Sequence, residues 1–215
     1  MSELRSGPVA QAIRRHRLIL VLRRIEPQDK LLALVEELAD SGARAFEITF
    51  DAPSAADDIT AVRARLAGRA DGPFIVGAGT ITRRAQLGAA RAAGADFGVA
   101  PVVDLELVRA ATGAGFPFVP GGMTPSEMSA AWAAGATFVK LFPASVAGPN
   151  FIREIHGPFR EIEIIPTGGI DASNAQSFLD AGAAAVGVGS AVLRMTPDER
   201  RAFVGSLAVA SESGL

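Results

Sequence analysis

Short apolar runs alternate with longer alanine-rich stretches along most of the chain. The runs are Leu18–Leu22, Ala45–Ile48, Pro73–Val76, Phe97–Val99, Phe116–Val119, Phe138–Lys140, Glu163–Ile165 and Ala185–Val188. Their lengths suit buried strands, and a helix-compatible segment follows each one. Five of the alanine-rich stretches stop at a glycine: Gly42, Gly94, Gly113, Gly135 and Gly182, spaced by 52, 19, 22 and 47 residues. A glycine there suits the left-handed cap that ends a helix. Each long interval holds two strand–helix units, so the pattern predicts eight.

Strands alternating with helices imply a parallel sheet and an α/β class. Eight units in one stretch favour a closed (β/α)8 TIM barrel, with a doubly wound open sheet as the competing arrangement. The expected domain is single, residues 1–215, with an N-terminal helix over about 1–16 and a C-terminal helix over about 197–212. In such barrels the chemistry sits where the strands end at their C-terminal side. Those ends carry Arg23-Arg24, Glu47 to Asp51, Gly77 to Thr80, Ala100-Pro101, Pro120 to Gly122, Lys140, Thr167 to Gly169 and Gly187 to Ser190.

Composition narrows the function. A hydrophobic fraction of 49% with 20% charge fits a globular core, and the net charge of −2 makes no electrostatic case for nucleic acid or an anionic membrane. Absence of cysteine excludes disulfides, thiol catalysis and thiolate metal sites. The apolar run after Arg14, Arg15 and Arg17 is too short for a signal core or a membrane span, so a soluble cytoplasmic protein is expected. His16 and His156 have no partners in the sequence that would make a metal site, and His156 reads as a surface or capping residue. Trp132, in an alanine-rich helical stretch, reads as core.

Two charges stand inside apolar runs. Lys140 lies within Thr137–Pro143, and of 21 basic residues only it and Lys30 are lysines. A neutral lysine amine can form an imine with a ketone, whereas arginine cannot. Read from its strand alone, Lys140 is either such an amine or a strand-end lysine reaching out to water. Glu47 is the second charge. Period-two alternation groups Ala45, Glu47 and Thr49 on one face, and Phe138, Lys140 and Phe142 on another. If both faces point inward, a carboxylate and an amine share a small interior, as a catalytic pair or as a structural ion pair. Glycines at the ends of the last two strands would let backbone N–H groups approach a phosphate at helix N-termini, or else mark tight turns.

Together, Glu47-Ile48-Thr49, Gly77-Ala78-Gly79-Thr80, Val139 to Ala144 and Pro166 to Ile170 resemble, in order and spacing, the 2-keto-3-deoxy-6-phosphogluconate (KDPG) aldolase family. That family includes 4-hydroxy-2-oxoglutarate (KHG) and 6-phosphogalactonate-type aldolases. The resemblance runs from about Leu18 to Leu193. It implies a metal-independent, cofactor-free class I aldolase that forms homotrimers of (β/α)8 barrels. Its substrates would be phosphorylated 2-keto acids, its products pyruvate and glyceraldehyde 3-phosphate. By the same resemblance, Lys140 is the Schiff-base lysine and Glu47 the general acid/base. Thr80, Pro101, Phe142 and Thr167 line the pyruvate end, Gly168, Gly169, Gly189 and Ser190 hold phosphate, and Arg23 faces the anionic substrate. Where gluconate-type members carry arginine-threonine, this chain reads Asp51-Ala52-Pro53, and the galactonate type also lacks that arginine. Ala100-Pro101-Val102 likewise departs from the commoner serine-proline-glycine. A KHG aldolase, a non-aldolase phosphosugar barrel (isomerase, epimerase or synthase) and a phosphosugar sensor are the competing functions.

Overall fold

The computed structural model of the chain describes residues 3–207. Two helices lead in, α1 (Glu3–Ser6) and α2 (Pro8–His16), separated by an extended Gly7 where the sequence predicts one continuous helix. There follow β1 (Leu18–Leu22), α3 (Gln28–Asp40), β2 (Ala45–Thr49), α4 (Ala55–Leu66), β3 (Ile75–Gly79), α5 (Arg84–Ala92), β4 (Phe97–Val99) and α6 (Leu105–Gly113). The second half comprises β5 (Phe118–Val119), β6 (Gly121–Gly122), α7 (Pro125–Ala133), β7 (Val139–Leu141), α8 (Ala144–His156), β8 (Ile164–Pro166), α9 (Ala175–Asp180), β9 (Val186–Val188), α10 (Ser190–Arg194) and α11 (Pro197–Leu207). Residues 208–212 of the expected C-terminal helix lie outside the described residues. No helix among the described residues is long and apolar enough to cross a membrane.

Every strand pairing is parallel. One sheet runs β5-β4-β3-β2-β1-β9 and the other β6-β7-β8, so neighbours follow chain order and the last strand lies against the first. The result is a curled parallel sheet rather than a doubly wound one, in which strand order reverses near the middle. The fifth expected strand is split into β5 and β6 at Pro120, which has no N–H to give to a ladder. Its carbonyl still accepts from Lys140 N at 2.9 Å. The helix caps behave as expected at Gly42, Gly94, Gly135 and Gly182, all with positive φ. The third is displaced: α6 includes Gly113, and Gly115 takes the left-handed conformation (φ 67°).

Alternation along the strands sorts side chains into two buried clusters. Leu18, Leu20, Leu22, Phe46, Ile48, Val139, Leu141, Val186 and Val188 face outward and pack with the helices in the larger one. The inward set, Ile19, Ala45, Ile75, Phe97, Val99, Val119, Phe138, Ile165 and Ala185, forms a separate cluster with Ala10 and Ile13 of α2. Helix α2 thus seals the side of the sheet where the strands begin. Arg14 reinforces the seal through Glu163, with Nε to Oε1 at 2.6 Å. Because Ile13 is fully buried at this seal, Ile13→Ala should destabilise the fold by about 2–5 kcal/mol, measured as a lower urea midpoint with an unchanged slope.

Candidate active site

Glu47 lies between Phe46 and Ile48, whose burial against the helices turns the carboxylate to the inner face. Lys140 is placed the same way by Val139 and Leu141. In register, Glu47 sits beside Val21 and Gly77, and Lys140 beside Gly121 and Ile165. Glu47 is 3% exposed and Lys140 6%. Burial pushes the Glu47 carboxyl up, against the opposite pull of Lys140 and Arg23. Burial likewise pushes the Lys140 amine down, opposed by Glu47 and aided by Arg23. Both groups are therefore driven towards their neutral forms. The amine also lies 4.9 Å from the centre of the Phe142 ring.

Room for the carboxylate comes from a missing side chain. A Cβ on Gly79 would overlap Glu47 Oε1, so the carboxyl group occupies the space that Gly79 leaves free. The next residue, Thr80, adopts a left-handed backbone (φ 58°), uncommon for a β-branched side chain and a point of local strain.

Beside Lys140 opens a cavity of about 510 Å³. Its lining includes Arg23, Thr80, Pro101, Lys140, Phe142, Thr167, Gly168, Gly169, Gly189 and Ser190. All the expected site residues except Glu47 therefore meet on one surface, and Glu47 lies buried behind it. Val21, Ile170, Asp171, Ala191 and Arg194 also line the cavity and are not among the site residues expected from the sequence. Two of these had a readable signal: Val21 alternates with Arg23 along one strand, and Arg194 lies one helical turn after Ser190.

At the glycine ends, Gly168 (φ 91°) and Gly169 (φ 77°) both take left-handed backbone. They do not feed a helix directly, since α9 begins only at Ala175; the intervening turn is held by Asn174 Nδ2, which donates to the Gly169 carbonyl at 2.8 Å. Gly189, by contrast, immediately precedes α10.

Arg23 is at the cavity but is already engaged. Its Nη1 donates to Asp51 Oδ2 at 2.6 Å and its Nη2 to Thr80 Oγ1 at 3.2 Å. Arg24 approaches the same Asp51 oxygen at 3.2 Å. Burial alone would raise the Asp51 pKa, but the nearby Thr49 hydroxyl and the two guanidiniums outweigh it and hold the carboxyl below its usual range. Asp51 therefore acts as a clamp on two arginines.

The remaining candidates lie away from the cavity. A ring nitrogen of His156 meets the Ile162 carbonyl at 3.0 Å, a structural contact, and Trp132 is half-buried beneath the Arg5 guanidinium. Among the described residues, no group of three or more His, Cys, Asp or Glu could hold a metal ion.

A sequence model of the family described as "Aldolase: KDPG and KHG aldolase" matches residues 9–201. The chain belongs to this family. It is 35% identical over 156 residues to the 2-dehydro-3-deoxy-phosphogluconate aldolase of Haemophilus influenzae, covering 72% of this chain and 71% of that one. To the 2-dehydro-3-deoxy-6-phosphogalactonate aldolase of Escherichia coli it is 34% identical, covering 82% and 84%. Among solved structures, a KDPG aldolase from Legionella pneumophila, with pyruvate captured as a covalent carbinolamine intermediate, superposes with a TM-score of 0.80. It is 26% identical and covers 95% of this chain and 98% of that one.

Since the Gly79 space holds the carboxylate, Gly79→Ala should displace Glu47 without touching Lys140. We expect turnover of the family reaction to fall by about 10²–10⁴-fold, the usual worth of a placed acid/base, with the circular dichroism spectrum unchanged.

Proposed function

We propose that the protein is a class I aldolase that cleaves a 2-keto-3-deoxy-6-phospho sugar acid, of gluconate or galactonate type, to pyruvate and glyceraldehyde 3-phosphate. The observation that carries this reading is the buried Lys140 amine, pushed towards neutrality, at a cavity with the buried Glu47 carboxyl behind it. Lys140 attacks the ketone carbon, and Glu47 moves the protons that turn the carbinolamine into a protonated imine. The imine then accepts the C3–C4 bonding electrons as the C4 hydroxyl loses its proton to Glu47. The aldehyde departs, Glu47 returns a proton to C3 of the enamine, and water releases pyruvate. The covalent lysine supplies the electron sink, so the reading assigns no metal or other cofactor.

Arg23, Thr80, Pro101, Phe142 and Thr167 belong to the 2-keto acid end in this scheme, and Gly168, Gly169, Gly189 and Ser190 to the phosphate end. Backbone N–H groups of the left-handed glycines supply uncrowded donors for phosphate oxygens. We read the curled sheet as a closed (β/α)8 barrel forming a single domain. Its support is a parallel bridge between Thr167 and Gly187, with Ala184 N donating to Ile164 O at 2.9 Å and Thr137 N to Phe118 O at 2.8 Å. A cytoplasmic homotrimer completes the reading. Exposed Val102 and Val146 offer apolar surface for subunit contact.

Borohydride reduction in the presence of pyruvate should leave a covalent mass increment on the Lys140 peptide. An unlabelled Lys140, or a fully active Lys140→Ala protein, would sink the mechanism. Because the folded protein depresses the Lys140 pKa, the neutral amine gains population on raising pH through a midpoint below the ordinary 10.5. The trapping rate should rise along that curve, and a midpoint at or above 10.5 would contradict the burial argument. Rates on the two phosphorylated C4 epimers and on unphosphorylated 4-hydroxy-2-oxoglutarate would assign the substrate. Comparable cleavage of the last would transfer the assignment to a KHG aldolase.

A further inference from the structure

Among the described residues, three buried side-chain polar atoms lack a hydrogen-bond partner: Glu47 Oε1, Thr49 Oγ1 and Asp51 Oδ1. An unpartnered buried polar atom is uncommon and costly, and a functional site is one of the places where it is tolerated. Glu47 and Thr49 occupy alternate positions of β2 and so share one face, and Asp51 lies in the turn that follows, close enough to the Thr49 hydroxyl for that group to lower its pKa. Two are within strand β2, where Glu47 is 3% exposed and Thr49 2%. Asp51 follows it at the rim, with 18% of its side chain exposed.

The geometry also shortens the gaps. Alternate positions on a strand are about 6.6 Å apart, but Glu47 does not stay at its own level. Its Oε1 fills the space over Gly79, and Gly79 is the register partner of Thr49. The carboxyl group has thus advanced one inward position towards the Thr49 hydroxyl. At the other end, Arg23 and Arg24 both hold Asp51 Oδ2, which leaves Oδ1 free on the side away from them.

We propose that Glu47, Thr49 and Asp51 form a proton relay linking the catalytic carboxyl group to solvent along the inner face of β2. This rests on the aldolase reading above and adds a route that the reading does not require. Glu47 is buried and is not among the residues lining the cavity, so the strand face offers it a route to solvent that does not cross the substrate cavity. Consider the pyruvate imine. Glu47 takes a proton from C3; the C–H electrons become the enamine double bond, and the imine electrons return to nitrogen as a lone pair. Glu47 passes that proton to Thr49 Oγ1, directly or through one water, while Thr49 gives its own proton to Asp51 Oδ1. Asp51 releases it to bulk water, and the reverse sequence delivers a solvent deuteron to C3. Thr49 and Asp51 touch no substrate in this scheme.

The test is exchange of the pyruvate methyl hydrogens in D2O, followed by proton NMR, against borohydride trapping of pyruvate on the same protein. Thr49→Val keeps the shape of the side chain and removes the hydroxyl. We expect its exchange to slow by about 10²-fold, the worth of one placed proton-transfer group, while trapping persists. Thr49→Ser should restore exchange, and Asp51→Asn, which keeps the size of the side chain, should slow it as Thr49→Val does. Parental exchange in Thr49→Val, or exchange in Thr49→Ser as slow as in Thr49→Val, would overturn the relay. So would a parent protein that traps pyruvate but does not exchange its methyl hydrogens, an outcome that leaves the imine mechanism standing. A parent that traps no pyruvate overturns the aldolase reading itself.

Discussion

Two opposite charges held inside an apolar parallel sheet are the constraint to which the other features answer. A charge moved out of water loses several kcal/mol of solvation, and a partner at a distance returns only part of that. Glu47 and Lys140 make no salt bridge of the close kind that Arg14 and Glu163 make. Instead burial drives each towards its neutral form, which is the state in which an amine attacks a ketone and a carboxyl group gives up a proton. On the aldolase reading, the same desolvation that weakens the fold prepares the chemistry.

Stability and reactivity are kept at opposite ends of the strands. Where the strands begin, inward Ile19, Ile75, Phe97 and Phe138 pack with Ala10 and Ile13 of α2 into a dry cluster. Where they end, the inward positions turn polar or vanish: Glu47, Thr49, Lys140 and Thr167, with Gly79 and Gly187 making space. A Cβ on Gly187 would overlap the Thr167 hydroxyl just as one on Gly79 would overlap Glu47. Small residues here leave room for functional groups, whereas Gly77 at the level below leaves room for the Phe97 ring.

The rim is organised by Asp51. Asp51 converts two free arginines into a paired cluster in which Arg23 is steered towards Thr80 and the cavity. A carboxylate at this point also places a proton acceptor at the outer end of the β2 face. An arginine at that position could accept no proton. The arginine clamp and the proposed proton relay thus meet at one residue.

Much of this was legible in the chain itself, because strand alternation and glycine caps are local. The eight apolar runs, the faces that Glu47 and Lys140 occupy on their strands, and the set of ten expected residues that meet on one cavity follow from periodicity and from family motifs, whereas the inward direction of the Lys140 face had to come from the packing of Val139 and Leu141. Other features depended on contacts between distant segments. The interruption at Pro120 depends on which neighbours needed its absent N–H, and the shift of a cap from Gly113 to Gly115 depends on where α6 could stop packing. Neither the Asp51 clamp nor the place of the Glu47 carboxyl over Gly79 is visible along the chain, since each is set by strands lying side by side. The sequence by itself marked Glu47 and Lys140 as charges inside strands, but Asp58 reads there as a solvated helix-face residue, whereas it is buried on α4 at 6% exposure. Only the tertiary structure decided what surrounds them, because desolvation and partner geometry are properties of the neighbours a strand acquires on folding.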